Sequence, residues 1–206
     1  MGRHTRHSRA AAGSGWIRLR ALLAGGLVLG VGGTLTLAAW TDQEVVQATF
    51  TAGTFDLVGS ADGTTFSSHL AGSPAPLTFA PVSTAMLPGQ TVYSAFSVKT
   101  APGSTSALVT PTAAGTNNTG LGAYLTYQLV RVTARTSCTA AGISSGTVVV
   151  AAGSPLTTGG TEQLAVSGAG AQTVNYCFAI TLPTTAPNAA QGMTLNATWT
   201  FAGTAG

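Results

Sequence analysis

The sequence predicts an all-β fold, a jelly-roll-like antiparallel β-sandwich set behind a cleaved N-terminal signal segment. Three observations carry that prediction. Beyond residue 40, apolar and polar residues alternate with a period of two in many short runs. Asp62-Gly63, Pro88-Gly89, Pro102-Gly103 and Gly159-Gly160 punctuate the runs as turns. No apolar stripe of helical period appears in the same region. Many short strands at regular spacing are the pattern of a sandwich or jelly roll.

The first element is the signal. Five of the eight basic residues, Arg3, Arg6, Arg9, Arg18 and Arg20, lie in the first twenty positions, and an uncharged run follows from Ala21 to Ala39. Thr36, Ala38 and Ala39 are small residues of the kind a signal peptidase accepts. Cleavage after Ala38 or after Ala39 fits, and an uncleaved membrane anchor is the competing reading, since nineteen residues just span a bilayer. The run is Gly-rich and ends in small residues, which favours cleavage. No twin-Arg pair precedes the run, and the chain turns polar at once after it, unlike a pilin. All five acids lie beyond residue 40, against Lys99, Arg131 and Arg135, so the exported part carries a net charge of −2 although the whole chain carries +3. Nucleic acid is therefore not an expected partner, because phosphate binding needs clustered Lys and Arg. Sparse charge also weakens repulsion between copies.

The strands follow in chain order. Ala48 to Val58 is the first candidate and Leu77 to Pro81 the second. Val92 to Val98 puts Val92, Phe96 and Val98 on one face and Tyr93, Ser97 and Lys99 on the other. Ala107 to Thr110 is short. Leu121 to Val132 aligns Leu125, Tyr127 and Leu129. Thr147 to Ala151 and Glu162 to Val166 come next. Val174, Tyr176, Phe178, Ile180 and Leu182 alternate against Asn175, Cys177, Ala179 and Thr181. Leu195 to Phe201 is apolar at every odd position. With no long linker and no repeat, residues 39–206 are expected to form one domain after a signal at 1–38.

Cys138 and Cys177 are the only cysteines, and in an oxidising exterior a disulfide between them is expected, with two buried thiols as the alternative. Cys177 falls on the strand face opposite Tyr176, Phe178 and Ile180, so the bridge would pin the Thr136–Gly142 loop over that outer face. Catalytic patterns are missing. His69 is the only histidine beyond the signal, with no H-E-x-x-H spacing for zinc and no G-x-S-x-G for a serine nucleophile. It reads as a loop residue, and Asp62-Gly63 reads as a turn rather than half of a carboxylate pair. No cofactor, no metal and no enzymatic activity are expected. Asn117-Asn118-Thr119 and Asn196-Ala197-Thr198 fit the glycosylation pattern by chance.

The stretch from Gly32 to Leu57 resembles the start of the TasA and camelysin family of secreted bacterial proteins. The resemblance rests on Ala38-Ala39-Trp40-Thr41-Asp42 after a Gly-rich apolar run, then on Ala48, Thr49, Phe50, Ala52, Gly53, Asp56 and Leu57; Leu87-Pro88-Gly89-Gln90 is a weaker match. It implies processing by a SipW-type signal peptidase after Ala38, a mature chain of 168 residues and a jelly-roll-like sandwich. Family members form extracellular fibres in biofilm matrix, and others are described as surface metalloproteases. This chain lacks the family's Lys- and Asp-rich loops.

Two readings remain for the freed terminus, which carries Trp40, Val45, Val46, Phe50 and Phe55. Ala48–Leu57 is expected to be the first strand of its own sandwich in either case, and Ala39–Gln47 either continues that strand or is donated to a neighbouring subunit. Head-to-tail donation does not close, so it grows a fibre. The leading expectation is a secreted structural subunit of a fibre or surface assembly, self-associating with accessory matrix proteins as further candidate partners. A monomeric binding module is the alternative, and a camelysin-like metalloprotease the second.

Overall fold

The computed structural model describes residues 14–35 and 43–206, so Ala38, Ala39 and Trp40 lie outside the described residues. The chain divides into two units, one ending at Phe50 and one spanning Thr51–Gly206.

In the first unit, α1 (Ser14–Leu35) covers most of the expected signal. Among the described residues no helix is long and apolar enough to cross a membrane. Residues 43–50 form no regular structure and are exposed.

The second unit is built from two antiparallel sheets. The larger has the order β1 (Leu57–Ser60), β2 (Thr91–Thr100), β7 (Val174–Thr181), β4 (Thr126–Val132), β5 (Thr147–Pro155). The smaller has the order β6 (Leu164–Val166), β3 (Ala107–Ala113), β8 (Trp199–Ala205). The alternation in β2 and β7 places Val92, Val98, Tyr176, Phe178 and Ile180 in one shared core, with Val109 and Val166 of the smaller sheet. Aromatic rings knit the sheets together. Phe201 lies 5.3 Å from Phe96 and 4.7 Å from Tyr176, while Trp199 lies 4.9 Å from Phe178 and 5.8 Å from Tyr127. The first pair is stacked and the other three are tilted, and contacts of both kinds add to the area buried by each ring.

The outer face of β7 is also covered. Cys177 is fully buried there beside Val130 and Val132. It bridges to Cys138, which follows a 3-10 turn (Arg135–Ser137) and precedes the short α2 (Ala140–Ser145). The bridge pins this segment over the late strand, as its parity predicts. Ile143 of α2 packs on the same cluster. The Thr139 hydroxyl accepts from the Gly142 amide and caps α2, a helix too short to show a periodic stripe.

Several expected strands differ in extent, four of them by losing pairing over most of a run. Ala48–Asp56 forms no strand, and the ladder begins at Leu57. Leu77–Pro81 alternates between half-buried and exposed positions but makes one bridge, Ala80 to Tyr93. Proline at 81 has no amide to continue a ladder there. The Leu121–Val132 run starts its strand only at Thr126, because Gly120–Ala123 takes a 3-10 turn. Leu195–Thr198 keeps its alternation without a neighbouring strand, since the Asn117 side chain occupies that edge: its Nδ2 donates to Thr198 O at 2.8 Å and its Oδ1 accepts from Thr198 N at 2.8 Å.

Candidate functional site

The two sheets are unequal, and the mismatch shapes the site. Three strands face five, and the smaller sheet ends at β8, whose only strand partner among the described residues is β3. On the side of β8 away from β3 the core is open. A groove of about 1280 Å³ runs there, with Phe96, Phe178 and Ile180 of the larger sheet in its floor and Trp199 and Phe201 of β8 in its wall. Opposite β8 the wall is the Leu70–Pro88 segment, which inserts Leu77, Phe79 and Met86 against the core. Among the described residues no Asp, Glu, Lys or Arg lines the groove, and His69 is the one ionisable group in its lining. An apolar concavity beside an unpaired strand edge offers side-chain pockets and backbone donors and acceptors together.

At one end of the groove, β1 and β8 approach each other. A Cβ on Gly203 would lie 2.9 Å from the Phe55 ring and 3.3 Å from Leu57, so glycine there admits the Phe55 ring against the strand. The chain just before β1 is held to the β2–β3 loop. Thr105 N donates to Thr54 O at 3.1 Å, Ala101 N to Asp56 O at 2.9 Å, and Asp56 N to the Ser104 hydroxyl at 3.0 Å. N-terminal to these anchors every residue from 43 to 53 is exposed, with Val45 at 86%, Val46 at 94% and Phe50 at 92%. Isolated exposed apolar residues are ordinary, but from Val45 onward this is a contiguous uncharged stretch with a strand-like alternation.

The residues weighed for catalysis sit in plain settings. His69 is exposed, and its Nε2 lies 3.1 Å from the Ser67 hydroxyl, also exposed. Among the described residues no carboxylate bonds the ring, so this pair lacks the third group that orients a catalytic base. Among the described residues no cluster of His, Cys, Asp and Glu is placed to hold a metal ion. Asp62 closes the turn expected at Asp62-Gly63. Its Oδ1 accepts from the Ser60 hydroxyl and from the Thr64 and Thr65 amides, each at 2.7 Å. Those donors, the Ser60 hydroxyl first, hold its carboxyl well below the usual range. Gly63 takes φ 82°, a left-handed turn position that suits glycine.

Sequence reasoning missed two features. Asn117, read as part of a chance glycosylation pattern, is completely buried and also donates to Leu156 O at 3.2 Å. Arg135 reaches from the Cys138 segment to the carbonyls of Ala95 and Ala61, tying it to β2 and the Asp62 turn. Neither carries a sequence signature, because their partners lie far away in the chain. The sequence matches no family model and no curated protein.

Proposed function

We propose that this chain is a secreted, non-catalytic structural subunit of an extracellular fibre or surface matrix, held to its neighbours by strands donated from the N-terminal segment. The observation that carries the reading is the open apolar groove beside the unpaired edge of β8. A sheet missing a strand over its aromatic core is completed by an added strand, through main-chain hydrogen bonds and buried side chains. The exposed segment around Val45, Val46 and Phe50 supplies a strand of suitable chemistry. In this reading the two sheets form a jelly-roll-like sandwich of the TasA and camelysin kind. Signal removal at Ala38–Ala39 frees the segment outside the cell, and accessory matrix proteins meet the assembled fibre.

The test compares the chain starting at Ala39 with one starting at Gly53, by negative-stain microscopy and size exclusion. Fibres from the longer chain alone support the proposal. Monodisperse monomer from both, across salt and pH, overturns it in favour of a monomeric binding module.

A further inference from the structure

We propose that the groove beside β8 is a binding site for an uncharged single-chain lipid, whose acyl chain lies on the aromatic floor and whose neutral head meets a polar rim. The site is the one the fibre reading uses, and the inference deepens that reading by naming a ligand that competes with the strand for it. Binding itself stands or falls without fibres.

The order of side chains across the groove selects the ligand. Every buried residue in the lining is apolar or glycine, Leu125, Leu156, Phe178, Ile180 and Leu182 among them. Every polar side chain in the lining is exposed, Asn188, Gln191, Thr194 and Asn196 included. A molecule that matches this order is apolar along its body and polar at one end. A sugar does not match, because its hydroxyls need partners along their whole length and the floor offers no side-chain donor or acceptor. An ion does not match either. Among the described residues the lining holds none of Asp, Glu, Lys or Arg, and His69 Nε2 is engaged with the Ser67 hydroxyl. The carboxylate of a fatty acid therefore finds no cation, whereas the hydroxyls of a glyceride find the amides and hydroxyls of the rim.

Size and adaptability agree. Small-molecule sites run to about 300–1,000 Å³, and this groove holds about 1280 Å³, room for a long chain. The wall opposite β8 is lightly tied. Ser67 is paired with Gly59 and Ala80 with Tyr93. Between those anchors the bond from the Ser94 hydroxyl to Thr78 O is the wall's one hydrogen bond to the sheets among the described residues. Met86 and Met193 in the lining are unbranched and fit an irregular guest. A lipid on this floor covers the Phe96, Phe178 and Trp199 rings that a donated strand would cover, so a subunit holds one or the other.

The test titrates the full chain, recovered from an exporting host and freed of lipid, with monolauroylglycerol below its micelle concentration in a calorimeter. Saturable binding with a negative heat-capacity change is expected, the mark of buried apolar surface. Removing two methylenes from the acyl chain should weaken binding by roughly tenfold. Laurate, with the same chain and a carboxylate, should bind more weakly than the glyceride. Ala186 and Ala197 are half-buried, line the groove and pack on the core, so Ala186→Phe and Ala197→Phe each put a ring into it. Each variant that keeps its far-UV circular dichroism should lose affinity by roughly tenfold or more, and two positions are used so that one report survives if the other variant misfolds. Saturating monolauroylglycerol should also suppress fibres. Absence of saturable binding, laurate binding as tightly as the glyceride, or unchanged affinity in the folded filled variants would overturn the proposal. Fibres that form undiminished from saturated subunits would overturn it too, by placing the lipid elsewhere. Fibres from a chain that binds no lipid leave the fibre reading standing alone, while groove-dependent lipid binding by a chain that never assembles supports the lipid site and removes the fibre reading.

Discussion

Replacing both cysteines, Cys138→Ser with Cys177→Ser, should destabilise the Thr51–Gly206 unit by about 4 kcal/mol. The figure follows from the 39-residue separation of the pair, because an open loop of that length restores denatured-state freedom worth about 4 kcal/mol in the chain-entropy model. The structure adds a local term of the same sign. Cys177 is fully buried against Val130 and Val132, so its replacement puts a hydroxyl among apolar groups. The core between the sheets does not touch the bridge, so the variant should still fold. Urea titration followed by tryptophan fluorescence reads the change, since Trp199 sits in that core. At this size each kcal/mol shifts the midpoint temperature by about 2–4 °C, so a fall of about 8–16 °C is expected. A loss below about 1 kcal/mol would refute the reasoning, because it would mean that the Arg135–Ser145 segment holds its place without the bridge.

Two further predictions concern the core. Asn117→Ala should cost about 2–4 kcal/mol, by leaving the Thr198 amide and the Leu156 carbonyl without their partner and the Thr198 carbonyl with the Ala114 amide alone, and should raise amide exchange along Leu195–Thr198. Burial, the largest cause for both, pushes the Tyr127 and Tyr176 hydroxyls up to about 12, from an ordinary value near 10. A raised folded-state value means that this stability is whole below pH 10 and is lost as pH rises toward 12, while the unfolded chain ionises first. Denaturation midpoints measured across that window should fall, and Tyr127→Phe should flatten the decline.

The elements that were legible in the sequence are those whose neighbours impose a simple rule. Val174–Thr181 shows its inner face by parity, and the same parity sends Cys177 to the other side, where its partner waits. Gly63, Gly89 and Gly103 all adopt the positive φ that their turn dipeptides imply. Alternation also marked Ala48–Asp56, but parity states only that one face is apolar. It does not state which sheet, or which molecule, covers it. Asn117 was opaque for another reason. Its amide replaces a strand edge 81 residues away, a long-range substitution without local pattern. The groove was the least visible feature of all, because it arises from the count of strands in two sheets and from where β8 ends the smaller one.

Amide hydrogen exchange before and after assembly tests the central claim most directly. Backbone hydrogen bonds between an incoming strand and β8 must protect both partners at once. The account predicts fast exchange at residues 46–52 in the monomer, with slow exchange appearing there and along Trp199–Phe201 together when fibres form. Fibres in which residues 46–52 still exchange as freely as in the monomer would contradict it.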